Sequence, residues 1–317
     1  MKDLEDVMIE VKNLTMSYGK RMVLDDISFQ IQEGMMVGLL GANGAGKTTT
    51  MNILTGYLKP TSGEIIINEV DVRNNPKEAK RKIGYLPEHP PVYKDMKVFE
   101  YLVFVAELKG VKDKKAEVCR VMEQMNLSDR RNDFIKKLSK GMQQRVGFAQ
   151  ALIGNPEVLI LDEPLVGLDP AEAKRTRELI KELQGEHIVI ISSHVLKEIE
   201  ELCNMILMLK DGKIILNDST KGAKRRGHSN QYRLIVKGDM DMIEQVLHSY
   251  DSVKKLQYVT EKEAGVHEFL ITTKSAKDIR DNIIGHLVGK RLSVYGIEKI
   301  ESSLEEVYIK MTDEEEE

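Results

Sequence analysis

The chain carries a glycine-rich stretch, GANGAGKTT, over residues 41–49, directly after the apolar run MMVGLL. It meets the spacing G-x-x-x-x-G-K-[ST] with Gly41, Gly46, Lys47 and Thr48. Glycines let backbone N–H groups approach phosphate oxygens closely, the lysine adds a full positive charge, and the threonine hydroxyl suits Mg²⁺. Because a predicted strand precedes the stretch and a predicted helix follows it, the pattern indicates a phosphate-binding loop rather than a plain turn.

The nucleotide-binding residues predicted from this loop and from the helix start after it are Asn43, Gly44, Gly46, Lys47, Thr48 and Thr49. Lys47 is expected to face the β and γ phosphates, and Thr48 is expected to offer its hydroxyl to Mg²⁺. The free N–H groups and the partial positive charge of the helix start add to the attraction for phosphate.

Two further apolar runs end in residues that can do chemistry. VLILDEP ends in Asp162 and Glu163, and IVIISSH ends in His194. In a parallel sheet the carboxyl ends of the strands converge on the ligand crevice. We expect Asp162 in the Mg²⁺ shell, Glu163 as the group that orients or deprotonates an attacking water, and His194 beside the γ-phosphate. A solvated acid pair and a structural histidine are the alternatives.

The surrounding elements alternate between strand and helix. The runs MMVGLL, VLILDE and HIVIISS are rich in Val, Ile and Leu, as in strands buried on both faces of a mainly parallel sheet. Between them, Glu172 to Leu183 has helical spacing. This alternation predicts an α/β domain, with an antiparallel strand group from Val7 to Ile31 that turns at Tyr18.

The pattern changes after a basic stretch, KGAKRRGHSN, which we interpret as a linker over residues 221–230. Its cations either are solvated or contact anionic lipid. Residues 231–317 follow the order β-α-β-β-α-β, which predicts a small ferredoxin-like α+β domain. A last helix is expected in SSLEEVYIKMT, capped by Ser302 or Ser303, before a frayed acidic tail.

Composition narrows the function classes. The 317 residues are 41% apolar and 31% charged, and the net charge of −4 disfavours a protein that coats nucleic acid. No apolar run approaches the roughly 18 residues that span a bilayer, and the N-terminus lacks a secretory pattern. A membrane role therefore requires a separate chain. Cys119 and Cys203 have no metal-type spacing and are expected to be reduced thiols.

The stretch LSKGMQQ, over residues 138–144, resembles the LSGGQ signature of ATP-binding cassette (ABC) proteins. Together with the loop, the acidic strand, GLDP at 167–170 and the histidine, it matches this family over about residues 7–220. The resemblance implies an α/β P-loop NTPase cassette with a mainly parallel sheet core, an antiparallel β subdomain and a helical subdomain. The expected domains are the ATPase over 1–220, the linker, and the accessory domain over 231–317.

The resemblance also implies a homodimer in the ATP-bound state, joined head to tail. Each ATP would lie between the phosphate loop of one cassette and Ser139 and Gly141 of the other. Tyr18 matches the aromatic residue of the family that stacks on adenine. The chain departs from the family pattern at Lys140, where a glycine is usual, and at Met142, where a glutamine is usual.

A third departure lies in IGYLPEHPPVY, where Glu88 replaces the usual glutamine near the metal. We expect Glu88 in the Mg²⁺ shell, because Mg²⁺ prefers hard oxygen ligands, and hypothesise that it changes the Mg²⁺ dependence. The apolar cluster that follows resembles the groove that receives a short helix from a membrane subunit. Val92 and Tyr93 are the expected contacts, although most of this cluster fits the domain core equally well.

The whole chain resembles the ATPase subunits of ABC-2-type exporters. This resemblance implies a Mg²⁺-dependent ATPase at the cytoplasmic face of the cell membrane, with a separate integral membrane subunit as its partner and no nucleic acid. The alternative is a soluble ABC ATPase that acts in assembly or remodelling. The accessory domain alternatively serves regulation or dimerisation.

Overall fold

In this computed structural model the chain divides into two units after Thr220. The structure describes residues 7–226, 230–275, 277–300 and 302–313. The acidic tail, expected to be frayed, lies outside the described residues from 314 onward, and so do the first six residues of the N-terminus. No helix in the described part of the chain is long and apolar enough to cross a membrane.

The first unit alternates strands and helices, as the sequence predicts. Its described strands are β1 (Val7–Tyr18), β2 (Arg21–Gln32), β3 (Met36–Gly41), β4 (Ser62–Ile67), β5 (Val70–Asp71), β6 (Ile83–Leu86), β7 (Val158–Asp162), β8 (Ile188–Ser192), β9 (Met205–Lys210) and β10 (Lys213–Ser219). Its described helices are α1 (Lys47–Leu54), α2 (Pro76–Lys82), α3 (Val98–Leu108), α4 (Lys114–Gln124), α5 (Lys140–Leu152), α6 (Pro170–Glu182) and α7 (Leu196–Leu202), with 3₁₀ turns at Ser128–Arg130 and Ile135–Lys137.

The central sheet has the strand order β10-β9-β3-β8-β7-β6. All neighbouring pairs are parallel except β9 and β10. Every residue of β7 and β8 is buried, which explains why these strands are continuous apolar runs. Because β3, β7 and β8 are parallel neighbours, their carboxyl ends bring the glycine loop, Asp162 and His194 to one edge of the sheet.

A second sheet packs its own apolar face into the same core. Its order is β2-β1-β4-β5, all antiparallel, which confirms the antiparallel group predicted from Val7 to Ile31. The hairpin between β1 and β2 pairs Tyr18 with Arg21. The tight turn therefore places both side chains at one end of the sheet.

The helices α3, α4 and α5 pack against one another as a helical subdomain. Ser139 caps α5, since its Oγ accepts a hydrogen bond of 3.2 Å from the N–H of Met142. Helix α6 begins in the same way, with Asp169 Oδ1 accepting from the N–H groups of Ala171 and Glu172 at 3.1 and 3.0 Å. The α/β architecture expected from the sequence, with a mainly parallel sheet, an antiparallel sheet and a helical subdomain, is confirmed.

The second unit holds a four-stranded sheet with two helices on one face. After α8 (Thr220–Arg226), its described elements are β11 (Gln231–Lys237), α9 (Met240–His248), β12 (Val253–Glu263), β13 (Val266–Thr273), α10 (Arg280–Gly289), β14 (Ser293–Lys299) and α11 (Leu304–Asp313). The antiparallel order β12-β13-β11-β14 is that of a ferredoxin-like sheet, as predicted. Ile243 and Leu287 from the helices pack on Tyr232 and Phe269 from the strands.

Two details sharpen the sequence prediction for this region. Ser303, rather than Ser302, caps α11: its Oγ accepts from the N–H of Glu306, and Glu306 Oε2 accepts from the N–H of Ser303, both at 3.2 Å. The stretch assigned to a linker begins with a helix, α8 (Thr220–Arg226), because its alanine, lysines and arginines favour helix. Residues 227–229 of that stretch lie outside the described residues.

Candidate nucleotide-binding site

A cleft of about 480 Å³ opens at the carboxyl ends of β3 and β7. The residues that line it are Tyr18, Arg21, Val23, Asn43, Gly44, Gly46, Lys47, Thr48, Thr49, Glu88, Asp162 and Glu163. The structure therefore brings the glycine loop, the strand-end acids, Glu88 and Tyr18 together, although they lie far apart in the sequence. A cleft with backbone amides on one side and carboxylates on the other fits a nucleotide and a metal ion.

The glycine loop adopts a conformation that only glycine tolerates well. Gly46 has a φ of 109° and precedes α1, and Gly44 has a φ of 85°. A side chain at Gly46 would also place its Cβ 2.6 Å from Leu24 Cδ2. Because no side chain caps α1, its first N–H groups are available to a ligand.

Lys47 lies at the bottom of the loop with only 9% of its surface exposed. Its Nζ donates hydrogen bonds to the carbonyl oxygens of Gly41 at 2.7 Å and Ala42 at 3.2 Å. Burial lowers the pKa of this ammonium, while the charges of Glu163 and Asp162 act in the opposite direction. The bonds to its own loop aim the ammonium along the loop, where phosphate would sit.

Asp162 is 6% exposed at the end of β7. Burial raises its pKa, and the negative charge of Glu88 adds to this effect. A hydrogen bond from Ser192 and the charge of Lys47 lower the pKa and so favour the carboxylate. A cation beside Asp162 and Glu88 would therefore stabilise both carboxylates.

Glu163 and His194 form a direct contact across the ends of β7 and β8. Glu163 Oε2 lies 2.9 Å from His194 Nδ1. Glu163 itself has a φ of 47°, in the left-handed region that is costly for a residue with a side chain. This turn swings its carboxylate out of the line of the strand and into the cleft, while 58% of the His194 side chain is exposed.

The oxygen donors of the cleft fit Mg²⁺. Thr48, Glu88 and Asp162 all line it, and hydroxyl and carboxylate oxygens are the ligands that this hard cation prefers. Within the described residues, no group of three or more acids, histidines or cysteines lies close enough to hold a metal alone. Mg²⁺ would therefore need phosphate oxygens and water to complete its shell, as is usual for nucleotide sites.

Ser139 and Gly141, the expected signature contacts, are not among the residues that line this cleft. They lie at the start of α5, which packs close to α6: a side chain at Gly141 would place its Cβ 2.3 Å from Glu172 Cγ. Lys140, the departure from the family pattern, extends its ammonium against Gly167 in the loop before α6. The chain therefore does not bring its own signature to its own cleft.

Two lining residues were not predicted from the sequence, Arg21 and Val23. Both lie on β2, and Arg21 pairs with Tyr18 across the hairpin. The signal that was available is the two-residue turn Gly19-Lys20, because such a turn places the residues on either side of it opposite each other. Tyr18 is 52% exposed, so its ring is free to stack on a base.

The cluster after Glu88 divides between core and surface. Val98, Tyr101, Leu102 and Val105 are buried, as the core interpretation expects, and Val92 is partly buried. Tyr93 is exposed and packs edge-on against Tyr101, 5.9 Å between ring centroids, and on Phe104 at 5.7 Å. Tyr93, Phe104 and Leu108 are exposed large apolar side chains on this surface.

Beside this surface a second cleft of about 470 Å³ lies between the central sheet and the helical subdomain. Tyr57, Tyr85, Pro91 and Val105 contribute its apolar lining, and Lys109 lies at its wall. Burial raises the pKa of the Tyr85 hydroxyl to about 12. We call this groove, together with the exposed Tyr93, Phe104 and Leu108, the candidate docking region.

A family model described as ABC transporter matches residues 24–166 of the chain. The ABC transporter ATP-binding protein YhcH of Bacillus subtilis (strain 168) is 36% identical over 310 residues, which covers 97% of this chain and 96% of that protein. The similarity to YhcH therefore extends through both units. The lantibiotic transport ATP-binding protein SrtF of Streptococcus pyogenes is 38% identical over 218 residues, covering 68% of this chain and 93% of SrtF.

The dimeric structure of the ATP-binding cassette MJ0796, in a post-hydrolysis state with ADP and Pi, superposes with a TM-score of 0.61 at 26% identity. The match covers 68% of this chain and 100% of that chain. The fold thus agrees with that of a cassette whose structure holds ADP and Pi.

Proposed function

The chain belongs to the family of ABC transporter ATP-binding proteins, and from this premise we propose that it powers an exporter whose membrane-spanning subunit is a separate polypeptide. It is an ATPase of this family. SrtF, a lantibiotic transport protein, supports the transport role. With such a membrane subunit as its partner, the chain would act at the cytoplasmic face of the membrane.

The proposal needs two chains that close on ATP, and the observation that carries this step is the separation of Ser139 and Gly141 from the cleft that holds Lys47 and Asp162. A second copy, related by a two-fold axis, would place its α5 N-terminus over the first copy's cleft. Helix N–H groups and a serine hydroxyl are good donors to a phosphate. ATP then joins two chains, and loss of its terminal phosphate releases them. The structure of MJ0796, which is dimeric and bound to ADP and Pi, supports a dimer of cassettes.

Within each cleft, Tyr18 stacks on the adenine, and Lys47 and the loop N–H groups hold the phosphates. Glu163 accepts a proton from the attacking water as the water oxygen forms its bond to the γ-phosphorus. The bond from that phosphorus to the bridging oxygen breaks, and ADP departs with the electron pair. His194, whose Nδ1 lies 2.9 Å from Glu163 Oε2, keeps the carboxylate aimed at the water and lies beside the γ-phosphate.

Thr48, Asp162 and Glu88 are the residues that would hold Mg²⁺, which supplies charge neutralisation for the phosphates. Glu88 sits on the loop after β6, which leads directly into the docking region around Tyr93. A change at the nucleotide thus has a short covalent path to the surface on which a membrane subunit would dock.

The dimer is tested with Glu163→Gln, which keeps the shape of the side chain and removes the base. In the presence of ATP and Mg²⁺ the variant is expected to elute as a dimer, and its hydrolysis rate should fall at least about 100-fold. Glu201→Gln, at an exposed carboxylate that pairs with Arg177, is the matched control. A Glu163→Gln chain that binds ATP and stays monomeric in light scattering contradicts the proposal.

The membrane partner is tested by purifying the tagged chain from detergent-solubilised membranes of its native host. A polypeptide with several membrane spans should copurify, and Phe104→Asp should abolish its recovery while leaving the ATP affinity unchanged. Val288→Asp, at an exposed position in the second unit, is the control. Recovery of partners without membrane spans, equally with both variants, would favour the assembly or remodelling role instead.

A further inference from the structure

Ser192 lies at the end of β8, between the glycine-loop strand β3 and the acidic strand β7. It pairs with Asp162 in the strand register and is 0% exposed. A buried hydroxyl is stabilised only where it finds hydrogen-bond partners. The partners of this one are the two acids of the site.

The Ser192 hydroxyl both donates and accepts a hydrogen bond. Its Oγ donates to Asp162 Oδ1 at 2.5 Å, and it accepts from the N–H of Glu163 at 2.9 Å. One oxygen atom therefore touches the carboxylate that would hold the metal and the backbone of the residue that would activate water. With Oδ1 fixed by Ser192, Asp162 presents Oδ2 in a single orientation.

The bond to the N–H of Glu163 matters because the backbone of Glu163 has an unusual conformation. At a φ of 47° the residue leaves the strand direction, and its N–H loses the regular partner that a strand would provide. Ser192 supplies that partner and so helps to hold the turn that carries the Glu163 carboxylate to His194.

Ser193, the next residue, is equally buried but serves a different element. Its Oγ donates to Glu198 Oε2 at 2.8 Å and accepts from the N–H of Val195 at 3.0 Å, both at the start of α7. The two serines share environment and chemistry and differ in what they touch. Ser193 is therefore a matched control within the same strand end.

We propose that Ser192 is a positioning residue for ATP hydrolysis, which fixes the metal-holding carboxylate of Asp162 and the water-activating Glu163 relative to each other. The inference deepens the proposed function and depends on it. Partners of this kind behind a metal ligand commonly change metal affinity or activity about 10- to 100-fold when removed. Ser192 does not face the cleft, so it is not expected to contact ATP itself.

The test uses the full chain with Ser192→Ala and Ser193→Ala. Ser192→Ala should lower kcat by about 10- to 100-fold while KM stays within about threefold. Calorimetry supplies a readout apart from turnover: the gain in ATP affinity on replacing EDTA with Mg²⁺ should shrink for Ser192→Ala. Ser193→Ala should match the wild type in both measurements.

A second pair of variants separates the hydroxyl from side-chain shape. Threonine and valine have the same shape, but threonine keeps the hydroxyl and valine has a methyl group in its place. Compared with Ser192→Ala, Ser192→Thr should therefore recover most of kcat and Ser192→Val should not. Equal kcat for these two, or a Ser192→Ala chain with unchanged kcat and unchanged Mg²⁺ gain, overturns the inference. Failure of the proposed function is distinguishable, because then the wild type would not hydrolyse ATP or Glu163→Gln would not dimerise.

Discussion

Arg145 on α5 and Glu172 on α6 form a largely buried ion pair, with Nη2 2.5 Å and Nε 2.7 Å from the same Oε1. The side chains are only 10% and 14% exposed. The pair ties the helix that begins at the signature to the helix that begins at Asp169. In the proposed dimer, both helix starts face the partner, so their relative position decides how well the two chains close.

Removing one member of this pair should destabilise the first unit. Glu172→Gln leaves the Arg145 guanidinium buried without its carboxylate, and we expect a loss of about 3 kcal/mol in the free energy of unfolding. Urea unfolding followed by circular dichroism measures this loss. The double variant Arg145→Met, Glu172→Met should be more stable than Glu172→Gln. Equal stability of Glu172→Gln and wild type would show that the pair contributes nothing.

Lys47→Ala should weaken ATP binding by about 10- to 100-fold, because hydrogen bonds to charged groups contribute about 1.5–3 kcal/mol. Calorimetry of the monomer with ATP and Mg²⁺ measures the affinity. Lys59→Ala, at an exposed lysine outside the cleft, should bind as the wild type does. An unchanged affinity in Lys47→Ala would contradict the role assigned to this ammonium.

Glu88→Gln should shift the Mg²⁺ titration of ATPase activity to about tenfold higher metal concentration, since a charged oxygen is lost from the shell. The same change removes a negative charge near the phosphates, so ATP affinity in EDTA should rise. Glu100→Gln, exposed on α3, serves as the control. If the titration of Glu88→Gln overlays that of the wild type, Glu88 is not in the metal shell.

Lys109 should make the free energy of unfolding depend on pH. Its Nζ donates to the carbonyls of Gln150, Ala151 and Ile153 at the end of α5, and burial lowers its pKa from 10.5 to about 8. Between these two pH values the unfolded chain binds more protons than the folded chain at this site. The free energy of unfolding should therefore rise from about pH 8 towards pH 10.5, by an amount on the order of 3 kcal/mol.

The measurement compares Lys109→Met with the wild type by urea unfolding across this pH range. Other groups also titrate there, so the difference between the two proteins is the quantity of interest, and it should change by a similar amount. Lys112→Met, at an exposed lysine on the same connection, should follow the wild type at every pH. Parallel curves for Lys109→Met and wild type would remove Lys109 as the cause.

The elements that the sequence predicted well are those set by local pattern. The runs that became β7 and β8 are apolar at every position because both faces are buried, so composition alone identifies them. The hairpin at Tyr18 and the cap at Ser303 likewise depend on neighbouring residues. These signals survive without any knowledge of the tertiary fold.

The features that the sequence did not reveal depend on register and packing between distant segments. Ser192 is one buried strand-end serine among others until the pairing with Asp162 is known. Tyr93 and Tyr101 are both aromatic residues in one apolar cluster, yet 56% of Tyr93 is exposed and 3% of Tyr101. Which of them faces solvent is decided by how α3 packs, and no local pattern encodes that.

The positive φ of Glu163 implies a compromise between durability and activity. A residue with a side chain loses about 1–3 kcal/mol in such a conformation, whereas glycine would adopt it freely. A search for thermostable variants should therefore recover glycine at this position. The resulting protein would be more stable than the natural one but would not hydrolyse ATP. The chain gives up part of its folding free energy to keep a carboxylate there.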